Sequence, residues 1–275
     1  MQAKLSMQEI SSRQAHVLHK VKLLMPALCR VRQGKKIIEW QGHTETADHS
    51  QLIVFPAGYE LQIANIPAGE GYLSEIIYIP LSITNFYLKH YPLPHKKKDV
   101  QRFCIKLTNE LEYCWKQLKF ALDHDYSSQL LEHMLLGLLL ILRETSAANI
   151  FLDSSDNTVT ARCQDLLILS PSARWSARTV AEQLHMSVST FHRHLAAEGG
   201  SFQQILDDVR LGNALNAIQT TSKPIGEIAR DNGYQCPSRF TSRFQKRYQI
   251  TPRALRQAIQ AKDRADDGVM LSPQP

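Results

Sequence analysis

Between Trp175 and Arg256 the chain writes one pattern twice, and few folds accommodate that repetition. Ala181 is followed ten residues on by Phe191 and then by Leu195; Ala229 is followed eleven residues on by Phe240 and then by Phe244. A small residue lets one short helix touch the next. Two apolar residues four apart then anchor the second helix and leave its other face free, which is the arrangement of a helix-turn-helix. The turns carry their own signals: His185-Met186-Ser187 in the first copy and Asn232-Gly233-Tyr234 in the second. Gly233 suits the left-handed backbone such a turn often needs.

Helix boundaries fall where that reading wants them. Ser187 is placed to N-cap 188–198, Pro237 to open 237–247, and Thr251 to cap a last helix with Pro252 at its first position. Ser201 and Gln204 have the form of a capping box at the head of a long helix reaching about Thr220. Its apolar stripe is Phe202, Ile205, Leu206, Val209, Leu215 and Ile218, at helical spacing. Pro224 opens a short helix over 224–231. A connecting helix of about twenty residues is roughly 30 Å long at ~1.5 Å per residue. Successive major grooves on one face of B-DNA lie about 34 Å apart, so the spacing suits two recognition helices in adjacent grooves of double-stranded DNA. From Gly233 to Arg256 there is no Asp or Glu, but Arg239, Arg243, Lys246, Arg247, Arg253 and Arg256 are present. That run suits phosphate neutralisation.

These residues resemble the C-terminal domain of the AraC/XylS family of bacterial transcription regulators. Trp175, Val180-Ala181, Leu184, Met186-Ser187, Phe191 and Leu195 carry the resemblance in the first motif. In the second it rests on Ile225, Glu227-Ile228-Ala229, Gly233-Tyr234, Phe240, Phe244, Thr251-Pro252 and Arg256. It covers roughly the last hundred residues. Gln249 is a departure, standing where the family usually has Gly before the apolar-Thr-Pro stretch, and it puts the turn into the last helix in question. The resemblance implies groove-facing positions at Ser189, Thr190, His192 and Arg193 in the first recognition helix, and at Ser238, Arg239, Ser242 and Arg243 in the second. Arg193, Arg239 and Arg243 are able to donate bidentately to guanine, and Ser or Thr to contact several base edges or phosphates. His192 suits a phosphate as well as a base. The resemblance further implies activation of transcription at promoter DNA with RNA polymerase as a partner, and an N-terminal cupin-like barrel that binds a small effector.

The expected fold class is α+β: a cupin-like small β-barrel with dimerisation helices, then an all-α domain with two helix-turn-helix motifs. The expected limits are 1–150 for the sensing or dimerisation domain, 151–158 for a linker, 159–260 for the DNA-binding domain and 261–275 for a loose tail. Within the first domain, residues 17–80 read as β-rich. Short apolar or alternating runs at 22–28, 37–40, 51–55, 60–66 and 73–79 are divided by Gln33-Gly34, Pro56-Ala57-Gly58 and Pro67-Ala68-Gly69, a pattern that suits a small barrel or a sandwich, of which the resemblance implies the barrel. Residues 81–107 read as a short helical piece and a surface connection containing Pro92, Pro94 and the 96–98 lysine run. Two helices follow within 108–145. Positions 111, 114, 115, 118, 121 and 122 form one stripe, whereas Leu130, Leu131, Met134, Leu135, Leu138, Leu139, Ile141 and Leu142 cover more than one face. Such a helix needs cover on two sides, so 108–145 is expected to join two copies in a homodimer. The polar stretch 153–157 suits the linker.

The 275 residues are 43% hydrophobic, enough for two cores, and carry a net charge of +6, which favours an anionic partner. Cys29, Cys104, Cys114, Cys163 and Cys236 are widely spaced and form no CxxC or Cys/His cluster. They fit a reducing cytoplasm and argue against structural zinc. The first ten residues lack the apolar core of a signal peptide, and the uncharged run near 130–142 is too short for a membrane span. No His-x-His with later Glu and His marks a catalytic cupin, and His43 and His49 lie in a polar stretch read as a loop. No metal, cofactor or catalytic residue is expected, and hence no enzyme. The effector, small molecule or protein, has no residue assigned to it. The rival reading is a helical adaptor regulated by a protein partner on the N-terminal domain.

Overall fold

In a computed structural model the described residues are 5–91, 102–145 and 158–260. The linker residues 151–157, the tail 261–275 and the 96–98 lysine run with Pro92 and Pro94 lie outside them. Nine strands come from the N-terminal part: β1 (Met7–Ser12), β2 (His16–Lys22), β3 (Ala27–Gln33), β4 (Lys35–Trp40), β5 (His43–Ala47), β6 (Gln51–Phe55), β7 (Glu60–Ile66), β8 (Tyr72–Tyr78) and β9 (Cys104–Lys106). They pair antiparallel in two sheets, β1-β8-β3-β6-β9 and β2-β7-β4-β5.

The expected barrel is therefore two facing sheets that do not close. Alternation fixes which residues meet between them: Ala27, Cys29 and Val31 of β3 point inward with Ile38 and Trp40 of β4, Leu61 and Ile63 of β7, and Ile76 of β8. Leu28 of β3, Leu52 and Val54 of β6 and Ile77 of β8 point the other way, into a second core with α1 (Leu81–His90), α2 (Asn109–Asp123) and α3 (Ser128–Arg143). The first sheet is thus covered on both faces, so β3 reads as a buried run from Ala27 to Val31 rather than an alternating one. Trp115 of α2 donates to Glu75 of β8 at 2.8 Å, and Arg30 of β3 donates to Glu112 at 2.8 Å, tying that helix down.

Four strand expectations need correction. β1 begins ahead of residue 17, the expected run 22–28 is the crossing from β2 to β3, and β9 is too short to show as a run. His43 opens β5 instead of sitting in a loop. β5 is an edge strand whose side chains are mostly exposed, so its polar composition hides it.

The C-terminal part is helical: α4 (Val159–Leu169), α5 (Ala177–Gln183), α6 (Val188–Ala197), α7 (Phe202–Thr220), α8 (Ile225–Asp231), α9 (Pro237–Tyr248) and α10 (Pro252–Gln260). Helices α7, α9 and α10 pack on the edge strands β1 and β2. Those two strands would have to join to close a barrel, and the helices occupy that open side instead. The interior of the sheets and the core of α7–α10 consequently form one apolar cluster.

Candidate nucleic-acid interface

The first helix-turn-helix is α5, the turn 184–187 and α6. Ser176 and Thr179 form a reciprocal capping box at the head of α5, a box absent from the expected site. At α7, Ser201 Oγ accepts from Gln204 N, but the Gln204 side chain takes the Ser201 hydroxyl rather than its backbone N–H. Ser187 caps α6, accepting from Thr190 N at 3.2 Å, and His185 supplies the left-handed turn residue at φ 58°. Val180, Ala181, Leu184, Phe191 and Leu195 are buried with Cys163 and Leu167 of α4 and with Ile205, Leu206 and Val209 of α7. A fully buried Phe of this kind contributes about 2–3 kcal/mol through apolar area alone. Glu198, at the end of α6, accepts from Val159 N and Thr160 N at 2.9 and 2.8 Å and so holds the start of α4. Although partial burial opposes its charge, the Thr160 and Val159 donors keep its carboxyl below the ordinary carboxylate range.

The second unit is α8, a turn at Asn232–Gly233, and α9. Pro237 occupies the first turn of α9 as expected, and Gly233 is left-handed at φ 78°. A Cβ there would lie 2.7 Å from Arg210 Nη2. Arg210 itself donates to the carbonyls of Pro171 and Ala173 at 3.0 and 2.9 Å. One guanidinium on α7 therefore touches the loop before the first unit and the turn of the second. Gln249 ends α9 in the left-handed region at φ 58°, the conformation that the departure from Gly put in question.

The eight expected groove-facing residues divide by environment. Ser189, His192 and Arg193 are exposed on α6, while Thr190 is half-buried and accepts from Ser187 Oγ at 2.9 Å. Ser238, Arg239 and Ser242 are exposed on α9. Arg243 is half-buried and bound to Asp207 of α7. Arg193 has no such partner among the described residues. One turn further along α9, Arg247 meets Asp208 at 2.8 Å and donates to the Lys20 carbonyl at 2.8 Å. That carbonyl lies at the register shift of β2, where Lys20 has φ 49°. Lys22 of β2 completes the group, 3.2 Å from Asp208. Sequence reading missed Asp207, Asp208 and Arg210. The signal available was two acids and an arginine breaking the apolar stripe of α7 within four residues.

A cavity of about 250 Å³ lies where the sheets meet α7 and α9. Ile10, Leu18, Phe55 and Ile76 give it apolar walls, Lys36 and Asn65 are polar groups from the sheets, and Asn216 and Tyr248 face it from the helical part. Lys36 is 4% exposed, and burial lowers its pKa because the charged form is desolvated there. Sequence reading missed it, because the expected strand began at 37; the signal available was a lysine in step with Ile38 and Trp40, the buried set of β4.

Two helix-turn-helix units on one central helix, joined to a two-sheet domain with an interior cavity, define a two-domain protein of the bipartite helix-turn-helix class. Comparison with known proteins agrees. The helix-turn-helix domain family matches residues 180–258. The transcriptional regulator SirC of Salmonella typhimurium is 31% identical over 130 residues, 47% of this chain and 43% of its own length. The urease operon transcriptional activator of Escherichia coli is 33% identical over 116 residues, 42% of this chain and 39% of its own length. The chain thus spans less than half the length of these relatives. Crystal structures of ToxT from Vibrio cholerae share the fold at 13% identity, one with TM-score 0.66 over 94% of this chain and 99% of the other. Another, described as bound to an unsaturated fatty acid, has TM-score 0.64 over 94% and 96%. Residues 180–258 thus form a helix-turn-helix domain similar to that of the AraC/XylS regulators.

Proposed function

We propose that the protein is a sequence-specific transcription regulator, an activator acting at promoter DNA with RNA polymerase. Its limits are a 1–150 sensing domain and a 159–260 DNA-binding domain. Ser189, Thr190, His192 and Arg193 read one major groove, and Ser238, Arg239, Ser242 and Arg243 the next. The observation that carries this is that α6 and α9 each bury one stripe and expose a polar, basic one, on either side of a 19-residue helix. At ~1.5 Å per residue α7 is about 28 Å long, close to the about 34 Å groove repeat. Activation is supported by the name of the urease operon relative. The test is footprinting of the full chain on a selected site at stated salt. Two protected patches one helical turn apart are expected, and protection of a single groove would sink the two-groove reading.

The N-terminal domain takes a small effector with an apolar body in the cavity beside Lys36, as the fatty-acid-bound ToxT structure supports. Binding then raises the melting temperature by mass action. A second copy covers the α2–α3 face, where Tyr113, Phe120 and Leu130 are 64%, 50% and 44% exposed. Sedimentation that finds a monomer at high concentration removes that assignment.

A further inference from the structure

A second opening, a groove of about 740 Å³, lies at the β6–β9 edge of the first sheet. Arg30, Arg32, Arg102 and Lys106 line it, and Glu112 is the one carboxylate among the described lining residues. Arg30 and Arg32 stand two apart on β3 and so share a face. It is the face of Leu28, turned away from the interior between the sheets and toward α2.

Arg30 is the unusual member. Its side chain is 8% exposed, and a guanidinium carries five N–H donors. Nη2 donates to Glu112 Oε1 at 2.8 Å, whereas Nε and Nη1 find no acceptor among the described residues. Donors left unmet on a buried cation are costly. An oxyanion in the groove would answer them with charge-assisted hydrogen bonds.

The surrounding charges leave room for such an anion. Glu112 is shared between Arg30 and Lys116, at 2.8 and 3.0 Å. Glu75, 3.6 Å from Arg32, also takes Lys119 and the Trp115 indole N–H, each at 2.8 Å. Arg102 and Lys106 are exposed and meet no carboxylate among the described residues. Two uncompensated cations beside a buried third suit a doubly charged group, and a phosphate monoester carries about −1.5 to −2 at neutral pH with three strong acceptor oxygens. The neutral walls, His49, Ser50 and Gln51, suit hydroxyl groups rather than an apolar body. β9 is the far edge of its sheet, four strands from β1, on which α7 and α10 pack. At ~4.8 Å per strand that is about 19 Å, which favours a diffusible molecule over the duplex held by the readers.

We infer that this groove binds the phosphate dianion of a small, hydroxylated phosphomonoester, with Arg30 as its buried anchor and Arg102 and Lys106 as its charge partners. The site is separate from the cavity between the sheets, and it stands without the effector reading of that cavity.

Calorimetry on the full chain without DNA tests it, with ribose 5-phosphate, inorganic phosphate and ribose as probes at equal ionic strength. Ribose 5-phosphate is expected to bind, more tightly than inorganic phosphate, and ribose not at all. Arg102→Gln and Lys106→Gln, at exposed positions, should each weaken its binding about tenfold and leave the melting temperature without ligand unchanged. Lys89→Gln, an exposed lysine of α1 outside the groove, should bind as the wild type does. Inorganic phosphate binding as tightly as ribose 5-phosphate overturns the ester assignment. No binding by either, or an equal loss in Lys89→Gln, overturns the site. Gel shifts on the selected duplex supply the last arm: a loss of DNA affinity in Arg102→Gln and Lys106→Gln as large as their loss for ribose 5-phosphate would assign the groove to DNA and overturn the small-molecule reading.

Discussion

The two helix-turn-helix units follow one plan and live in different surroundings. Phe191 and Leu195 of the first are buried in a cluster of its own, where the N-terminal residue packed against it among the described residues is half-buried Leu24. Phe240 and Phe244 of the second belong to the same cluster as Leu18, Val21 and Ile10 of the sheets. The polar faces differ in the same sense: Arg193 is exposed, whereas Arg243 and Arg247 are held by Asp207 and Asp208 and by the Lys20 carbonyl. A repeated motif therefore need not give repeated behaviour. The first unit is built to stand alone on α7, and the second is built onto the N-terminal sheets.

The largest effects should break the comparison at the cores. Phe191→Ala and Phe240→Ala each cost about 3–5 kcal/mol. Limited proteolysis should find the sheets intact in the first variant and opened in the second. If both leave the sheets equally resistant, the shared core is not one energetic unit. Next come the readers. Arg193→Ala should lower affinity for the selected site by about 1–3 kcal/mol if it reads a base. A uniform loss on all sequences, with a smaller salt slope, would mark a phosphate contact instead. Gln249→Gly should stabilise the chain by about 1 kcal/mol in urea melts, because it relieves a left-handed non-glycine residue beside the second reader. No gain there would mean that the side chain compensates for the backbone.

Two smaller effects sharpen the contrast. Asp207→Asn releases Arg243, so the salt dependence of DNA binding should steepen by about one contact; an unchanged slope would show that Arg243 reaches DNA with Asp207 in place. Glu198→Gln should flatten the acid limb of stability around the first unit. The folded carboxyl titrates below its unfolded range, so its contribution is present above that range and is lost as pH falls through the folded value. Acid melts that superimpose for wild type and variant would dismiss it.

What could be read beforehand follows from how locally each feature is specified. Ser187, Pro237, Gly233 and the Phe anchors act within a few residues, so both units and the helix between them were legible. The covering of β3 on two faces depends on helices some eighty residues away, as the Arg30–Glu112 pair illustrates, and no period within 27–33 announces it. β5 was hidden because an exposed edge strand resembles a loop in composition. Of the eight residues expected to face a groove, the stretch of sequence alone could not distinguish Arg193 from Arg243, since Asp207 lies thirty-six positions from the latter. The cavity was out of reach because its walls come from both ends of the chain.

The joint between sheets and α9 also governs how such a protein could be recombined. A chimera that exchanged α4–α6 with a relative would cut across one small, self-contained core and should yield a soluble hybrid with altered operator preference. Transplanting α8–α10 would leave Leu18 and Val21 facing a foreign surface, so that graft should succeed only when strands β1 and β2 travel with it.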